Sequence, residues 1–189
     1  MTTRRHDDTR LVADLQDALS PDRVLAGALD RSLYGRDASI VATGDAAAVC
    51  LPLSTAEVAS CVQIARHHGR PFTPRGSGTG VAGGAVPVGR PVVIVTTKMN
   101  RILSVDLDDR VAWVEPGVVN LDLSRALASH GVHFAPDPSS QQACTIGGNV
   151  ANNSGGPHCL AYGVTNAHVV AIEVVLPDGT VTELGGVEG

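Results

Sequence analysis

The sequence predicts an α+β domain, and three observations carry that reading. An apolar segment, a capped amphipathic helix and a second extended segment follow one another between Ala46 and Pro74, the pattern of a βαβ unit. Further on, Ile102–Leu107 and Arg110–Glu115 face each other across Asp108-Asp109. There, Ala167–Leu176 is also turned back into Val181–Leu184 by Pro177-Asp-Gly-Thr, so the later strands read as hairpins. Hydrophobic residues make up 43% of the 189-residue chain and charged ones 17%, which supports a packed core. Only 3% is aromatic, so that core is built from Val, Leu, Ile and Ala. The expectation is a small βαβ lobe followed by a lobe of mostly antiparallel strands with helices.

Each element has a local reason. Asp8–Leu19 sets Leu11, Val12, Leu15, Ala18 and Leu19 on one helical face, and Ser20-Pro21 stops the helix. Arg23–Ile40 has no clear period. Ala46-Ala-Ala-Val-Cys50-Leu is a short strand ended by Pro52. Ser54-Thr-Ala-Glu57 is a capping box that opens a helix burying Val58, Cys61, Val62 and Ala65, with Gly69 as its left-handed stop. Pro71-Phe-Thr is the next strand. Val92–Val95 is continuously apolar, as in a strand covered on both faces. Asn120 is placed to cap a helix over 121–130 that Gly131 closes.

Composition narrows the function classes. A net charge of −5 argues against nucleic acid, which needs a basic face. Cys50, Cys61, Cys144 and Cys159 form no CxxC pair and read as small buried thiols, with no metal site expected. His130 and His133 straddle a helix end and read as solvent-facing. Met1–Asp8 lacks the apolar core of a secretory signal, and no apolar run approaches the roughly 18 residues of a membrane span. A cytoplasmic protein is the default, with any membrane association made through partners.

The stretch that carries chemistry is Pro74-Arg-Gly-Ser-Gly-Thr-Gly80, continued by Val81-Ala-Gly-Gly84. Glycine reaches positive φ without steric cost, so successive N–H groups can turn toward one spot and bind an anion. Ser77 and Thr79 add hydroxyl donors and Arg75 a positive charge, which suits phosphate or pyrophosphate. Gly78–Gly83 matches the dinucleotide fingerprint as a string, but that motif needs a following helix and a ribose-binding acid about 20 residues on. Val81–Pro87 is a poor helix, since interior Gly costs about 1 kcal/mol and Pro about 3. No Asp or Glu lies between Gly76 and Val105. The nucleoside-triphosphate loop fails as well, because Gly84 stands where it needs Lys.

Pro74–Gly80 resembles the pyrophosphate loop of the FAD-linked oxidases of the vanillyl-alcohol oxidase and p-cresol methylhydroxylase type. A second stretch, Pro136-Asp-Pro-Ser-Ser140 through Thr145-Ile-Gly-Gly-Asn149-Val-Ala-Asn-Asn-Ser154-Gly-Gly-Pro-His-Cys159-Leu-Ala-Tyr-Gly-Val-Thr165, is similar to the glycolate oxidase FAD subunit and its D-lactate dehydrogenase relatives. The resemblance runs from about Leu33 to the C-terminus. It implies a two-lobed FAD-binding domain with the flavin between the lobes. Residues 1–32 are then an N-terminal helical segment, and 33–189 the FAD-binding domain, truncated at its C-terminal end and without its substrate domain. A natural short paralogue is the alternative.

The same resemblance implies the site. Pro74, Arg75, Gly76, Ser77, Gly78, Thr79 and Gly80 cradle the pyrophosphate. Pro136, Asp137, Thr145, Gly148, Ala151, Asn152, Asn153, Ser154 and Gly155 line the flavin. Thr145–Gly148 is small enough for backbone to lie flat against a ring, and 151–155 offers donors and acceptors to the ring edge. Some relatives hold FAD through a loop histidine. Thr79 stands at that position here, so the FAD is expected to be non-covalent. Ala161 replaces a basic residue common in glycolate-type relatives.

No catalytic residue is assigned. His158 is the one candidate for taking a hydroxyl proton as hydride leaves for flavin N5, and a structural turn in which its ring bonds backbone is the preferred reading. The implied activity is oxidation of a small 2-hydroxyacid, with electrons passing to an iron–sulfur subunit or domain. The rivals are another FAD-linked alcohol oxidase of the same fold and a flavin-free binding or scaffold module.

Overall fold

A computed structural model describes residues 8–39 and 42–186. Helix α1 spans Thr9–Leu19, strand β1 Val24–Leu25 and helix α2 Ala28–Ser32. Strand β2 (Ala48–Cys50), helix α3 (Thr55–His67), strand β3 (Phe72–Arg75) and strand β4 (Val92–Val95) complete the first lobe. The sheet order is β1-β2-β4-β3, with β1 antiparallel to β2 and both β2 and β3 parallel to β4. The βαβ unit therefore has β4 inserted between its two strands, which do not pair directly.

The Val92–Val95 run is apolar throughout because both faces of the sheet are covered. Ala48, Cys50, Val92 and Ile94 pack with Leu11, Leu15 and Leu19 of α1 and Cys61, Val62 and Ala65 of α3. Val49, Val93 and Val95 pack on the other face with Leu25, Tyr34 and Leu51. Ala18, expected on the buried face of α1, is exposed. At α3, the Ser54 hydroxyl accepts from Glu57 N at 3.3 Å, and Glu57 accepts from Leu53 N at 2.7 Å. Glu57 also pairs with Arg23, whose guanidinium holds its carboxyl below the ordinary range.

The second lobe begins with the hairpin of β5 (Ile102–Asp106) and β6 (Val111–Val114), whose turn is wider than Asp108-Asp109. Asp106 Oδ1 accepts from the amides of both Asp108 and Asp109, and Arg110 takes φ 57°. Helix α4 (Asn120–Leu127) and a single 3₁₀ turn end at Gly131, φ 70°. Val119 occupies the cap position of α4, and the Asn120 side chain is turned into the interior instead. Thr145–Gly148, expected to be small enough for backbone to lie against a ring, opens helix α5 (Ile146–Asn152), with the Thr145 hydroxyl accepting from Gly148 N. The Thr145 cap starts the turn, and Gly147 lets it pass close against Pro116.

Helix α6 (Cys159–Tyr162) is one turn. The strand expected from Ala167 is shorter, β7 (Ala171–Val175), because Thr165–His168 forms a 3₁₀ turn on a Thr165–Ser154 anchor. Strand β8 (Val181–Gly185) pairs antiparallel with β7. Val118, Leu123, Leu127 and Ile146 form this lobe's core. The β7–β8 hairpin leans on α3, where Thr55 Oγ1 donates to Glu173 at 2.5 Å. Cys50, Cys61 and Cys144 are buried, but Cys159 is exposed on α6, correcting its reading as a core thiol. His130 and His133 are exposed. The readings that fall on residues 1–7, 40–41 and 187–189 lie outside the described residues.

Candidate functional site

The glycine loop leaves β3 and is shaped from beneath. Arg75 is 9% exposed, and its Nη1 donates to the Arg36 carbonyl at 2.7 Å, with the guanidinium 5.5 Å from the Tyr34 ring centre. Burial pulls its pKa below the ordinary arginine value, with Asp37 and Tyr34 opposing. Gly78 lies directly over this guanidinium: φ is 80°, and a Cβ there would meet Nη2 at 2.1 Å. The expected cation is thus present, but its Nη1 serves the Arg36 and Ala85 carbonyls and its charge lies beneath the loop.

The loop's carbonyls are also committed. Ala38 N donates to both Gly78 O and Gly80 O, at 3.0 and 3.1 Å. Among the described residues, none of the amides of Gly76, Ser77, Gly78, Thr79 and Gly80 donates to a protein acceptor. Carbonyls pinned and amides free is the arrangement an anionic ligand requires.

The second motif meets this loop along one stripe of α5. A Cβ on Gly76 would come within 2.5 Å of Thr145 Oγ1 and 3.9 Å of Gly148 Cα, and one on Gly80 within 3.8 Å of Asn152 Oδ1. Positions 145, 148 and 152 follow the i, i+3, i+7 spacing of a helix face. A cavity of about 220 Å³ opens beside the contact, lined by Ser77, Thr97, Asn100, Gly117, Asp122 and Thr145 among others.

The remaining expected residues form two further groups. Asp137 accepts the His158 ring Nδ1 at 2.5 Å, and the imidazole beside it holds its carboxyl below the ordinary range. A Cβ on Gly156 would strike the Asp137 carbonyl at 2.1 Å, so only glycine lets the chain pass there. The His158 ring bonds a carboxylate rather than the backbone expected for it.

Asn152 and Asn153 do local work: Asn152 Nδ2 donates to Gly148 O at 3.0 Å, and Asn153 accepts from Asn166 N at 2.9 Å while ending α5 at φ 47°. Ser154 O accepts from both Thr165 N and Thr165 Oγ1. Ala151 is exposed, and Pro136 O accepts from Asn120. Ala38, Asn120 and Asn149 escape sequence reasoning. Ala38 acts through its backbone, Asn120 passes for a helix cap, and Asn149 is hidden inside a motif read for its glycines.

These features define a two-lobed α+β domain whose glycine loop, its amides unbonded among the described residues, lies against α5. The family model described as "FAD binding domain" matches residues 46–185. The glycolate oxidase subunit GlcD of Bacillus subtilis is 42% identical over 156 residues, 82% of this chain and 33% of that protein. The D-lactate dehydrogenase of Anaerostipes hadrus is 38% identical over 168 residues, 88% of this chain and 35% of that protein. Among solved structures, alkyldihydroxyacetonephosphate synthase superposes with TM-score 0.87 at 26% identity, covering 100% of this chain and 37% of that one. p-Cresol methylhydroxylase superposes with TM-score 0.80 at 22% identity, covering 95% and 36%, a likeness of fold.

The chain belongs to the FAD binding domain family, with the p-cresol methylhydroxylase-type fold, and FAD is its cofactor. It spans about a third of the length of the curated relatives it matches. Among the described residues no helix is long and apolar enough to cross a membrane.

Proposed function

We propose that the chain is the FAD-binding portion of a flavin-dependent 2-hydroxyacid dehydrogenase of the glycolate or D-lactate type. The observation that carries this is the row of free amides from Gly76 to Gly80, over carbonyls pinned by Ala38. In this reading Pro74–Gly80 hold the pyrophosphate, and Thr145, Gly148 and Asn152 close the cradle from α5. Pro136, Asp137, Ala151, Asn153, Ser154 and Gly155 line the flavin. When bound, FAD supplies the two-electron acceptor for a hydride leaving the substrate carbon.

The chain's own residues bind and orient. His158 holds the 155–163 segment to Asp137 and is given no proton-transfer role, and the base and carboxylate clamp for the substrate come from outside this chain. Residues 33–189 carry the flavin site, and the preceding segment packs into the same first lobe through α1 and β1. Thr79 leaves the FAD dissociable. The 42% identity to a protein named as a glycolate oxidase subunit, against 26% to alkyldihydroxyacetonephosphate synthase, favours the hydroxyacid reading over another alcohol oxidase. A partner subunit, an iron–sulfur electron acceptor and a cytoplasmic location belong to the same proposal.

The test is spectroscopic. The purified chain titrated with FAD should bind it, and anaerobic glycolate or D-lactate should then leave the oxidised spectrum unchanged. The same substrates should bleach the flavin of the whole protein. A chain without affinity for FAD sinks the cofactor reading, and bleaching in the chain alone faster than free flavin restores His158 as a base.

A further inference from the structure

Asn120 is buried where a helix cap would be exposed. It is 1% exposed, and its Nδ2 donates to the Pro136 carbonyl at 2.9 Å and to Asn149 Oδ1 at 3.0 Å. Asn149 is equally buried at 1%, and its Nδ2 donates to the Cys144 sulfur at 3.3 Å. The polarities fix one another. A carbonyl only accepts, so Asn120 must present its NH₂ to Pro136. That NH₂ obliges Asn149 to present its oxygen, which leaves the Asn149 NH₂ for sulfur, a weak acceptor.

Asn120 Oδ1 remains buried without a partner among the described residues. An unsatisfied buried acceptor lowers stability, and an apolar side chain in this space would avoid the loss. Packing therefore does not account for an asparagine at this position. The crosslink it makes does.

The crosslink joins the segments the cofactor site depends on. Residues 116–120 run against 144–147, with Gly147 N to Pro116 O at 2.9 Å, Ile146 N to Val118 O at 2.8 Å and Asn120 N to Cys144 O at 3.0 Å. The cavity beside the glycine loop sits on this seam. The Asn120 and Asn149 amides then tie the seam and α5 to Pro136, whose neighbour Asp137 anchors His158. Through α5 the same unit sets where Thr145 and Gly148 meet Gly76.

We propose that Asn120 and Asn149 act as one positioning unit, a buried amide relay that fixes the spacing between the Pro136–Asp137 segment and α5, and through α5 the glycine loop. This rests on the FAD assignment above. Neither residue needs to touch the cofactor. A relay has a property that two independent contacts lack: breaking either link opens the whole of it.

The experiment is a double-mutant cycle in the full chain. Asn120→Ser, Asn149→Ser and the double variant are compared for FAD affinity and for the visible absorption of bound flavin at saturation. Each single variant should weaken FAD about tenfold and shift the bound-flavin spectrum, and the double should lie within about twofold of the weaker single. Val62→Ala, in the first-lobe core, should lower melting temperature while leaving affinity and spectrum unchanged.

Additive losses in the cycle overturn the relay, as does a Val62→Ala variant that loses FAD to the same degree. Should Asn120→Ser fail to fold by circular dichroism, Cys144→Ala removes the last acceptor and should weaken FAD about threefold; unchanged affinity there overturns the proposal. An unaltered chain that binds no FAD overturns the cofactor reading and the relay's role with it, and needs no variant to be recognised.

Discussion

Gly78 concentrates the demands of the loop on one atom that is missing. Its φ of 80° and its seat over Arg75 both exclude a side chain. Alanine there costs roughly 1–2 kcal/mol for the left-handed backbone alone, and displacing Arg75 also disturbs the loop amides proposed to hold the pyrophosphate. Gly78→Ala should weaken FAD at least tenfold, since about 1.4 kcal/mol is one decade. Gly89 lies outside the loop but has φ 77°, so alanine is strained there too; Gly84, with open space around it and no positive φ, is the sound control. Equal FAD affinity for the Gly78 and Gly84 variants, both folded, would falsify the cradle.

Asp137 gives a pH-dependent test at the same scale. Its folded pKa lies below the unfolded value, so its contribution is present above the ordinary carboxylate range and lost as pH falls through the lowered value. Asp137→Asn should lower the melting temperature at pH 7, and the gap to the parent should close below about pH 4. A gap that persists unchanged to pH 3 means the His158 pairing contributes nothing.

At the scale of the element, α3 is held at its start by two side chains with three tasks. Ser54 caps the helix, while Glu57 bonds Leu53 N and pairs with Arg23 beyond α1. Ser54→Ala should destabilise by about 1 kcal/mol. Glu57→Gln keeps an acceptor for Leu53 but loses the charge facing Arg23, a partly buried and bidentate contact, and should cost a further amount of about 1 kcal/mol. Urea unfolding measures both. A Glu57→Gln variant as stable as the parent would show that the acceptor, not the charge, is what α3 uses.

For the molecule as a whole, FAD should act as a folding ligand. At 100 times its dissociation constant it should stabilise by about 2.7 kcal/mol, read as a rise in melting temperature. With Thr79 in the loop, acid precipitation should leave the flavin in the supernatant; yellow precipitate refutes the non-covalent assignment. The single tryptophan reports a different face. Trp113 is 39% exposed on a hairpin that also presents Leu103, Val105 and Leu107 to solvent. Its fluorescence should be readily quenched by acrylamide in this chain, and a buried, blue-shifted emission would mean that the hairpin is covered.

The sequence by itself determined whatever depends on local backbone chemistry: α1 from its leucine period, α3 from Ser54 and Glu57, the stop at Gly131, and the loop at Gly76–Gly80. It also determined that Val92–Val95 is covered on both faces, because an unbroken apolar run leaves no face for water. What the tertiary structure decided was partnership. Nothing local says that β4 slips between β2 and β3, that Arg75 turns under Gly78, or that His158 finds Asp137 21 residues away. The small residues of Thr145–Gly148 are legible as room for a ring, but that they form a turn of helix with Gly147 close against Pro116 depends on the folded chain. Asn120 is the clearest case: a residue type suited to capping was drawn inward because only the folded chain brings Pro136 and Asn149 within reach of its amide.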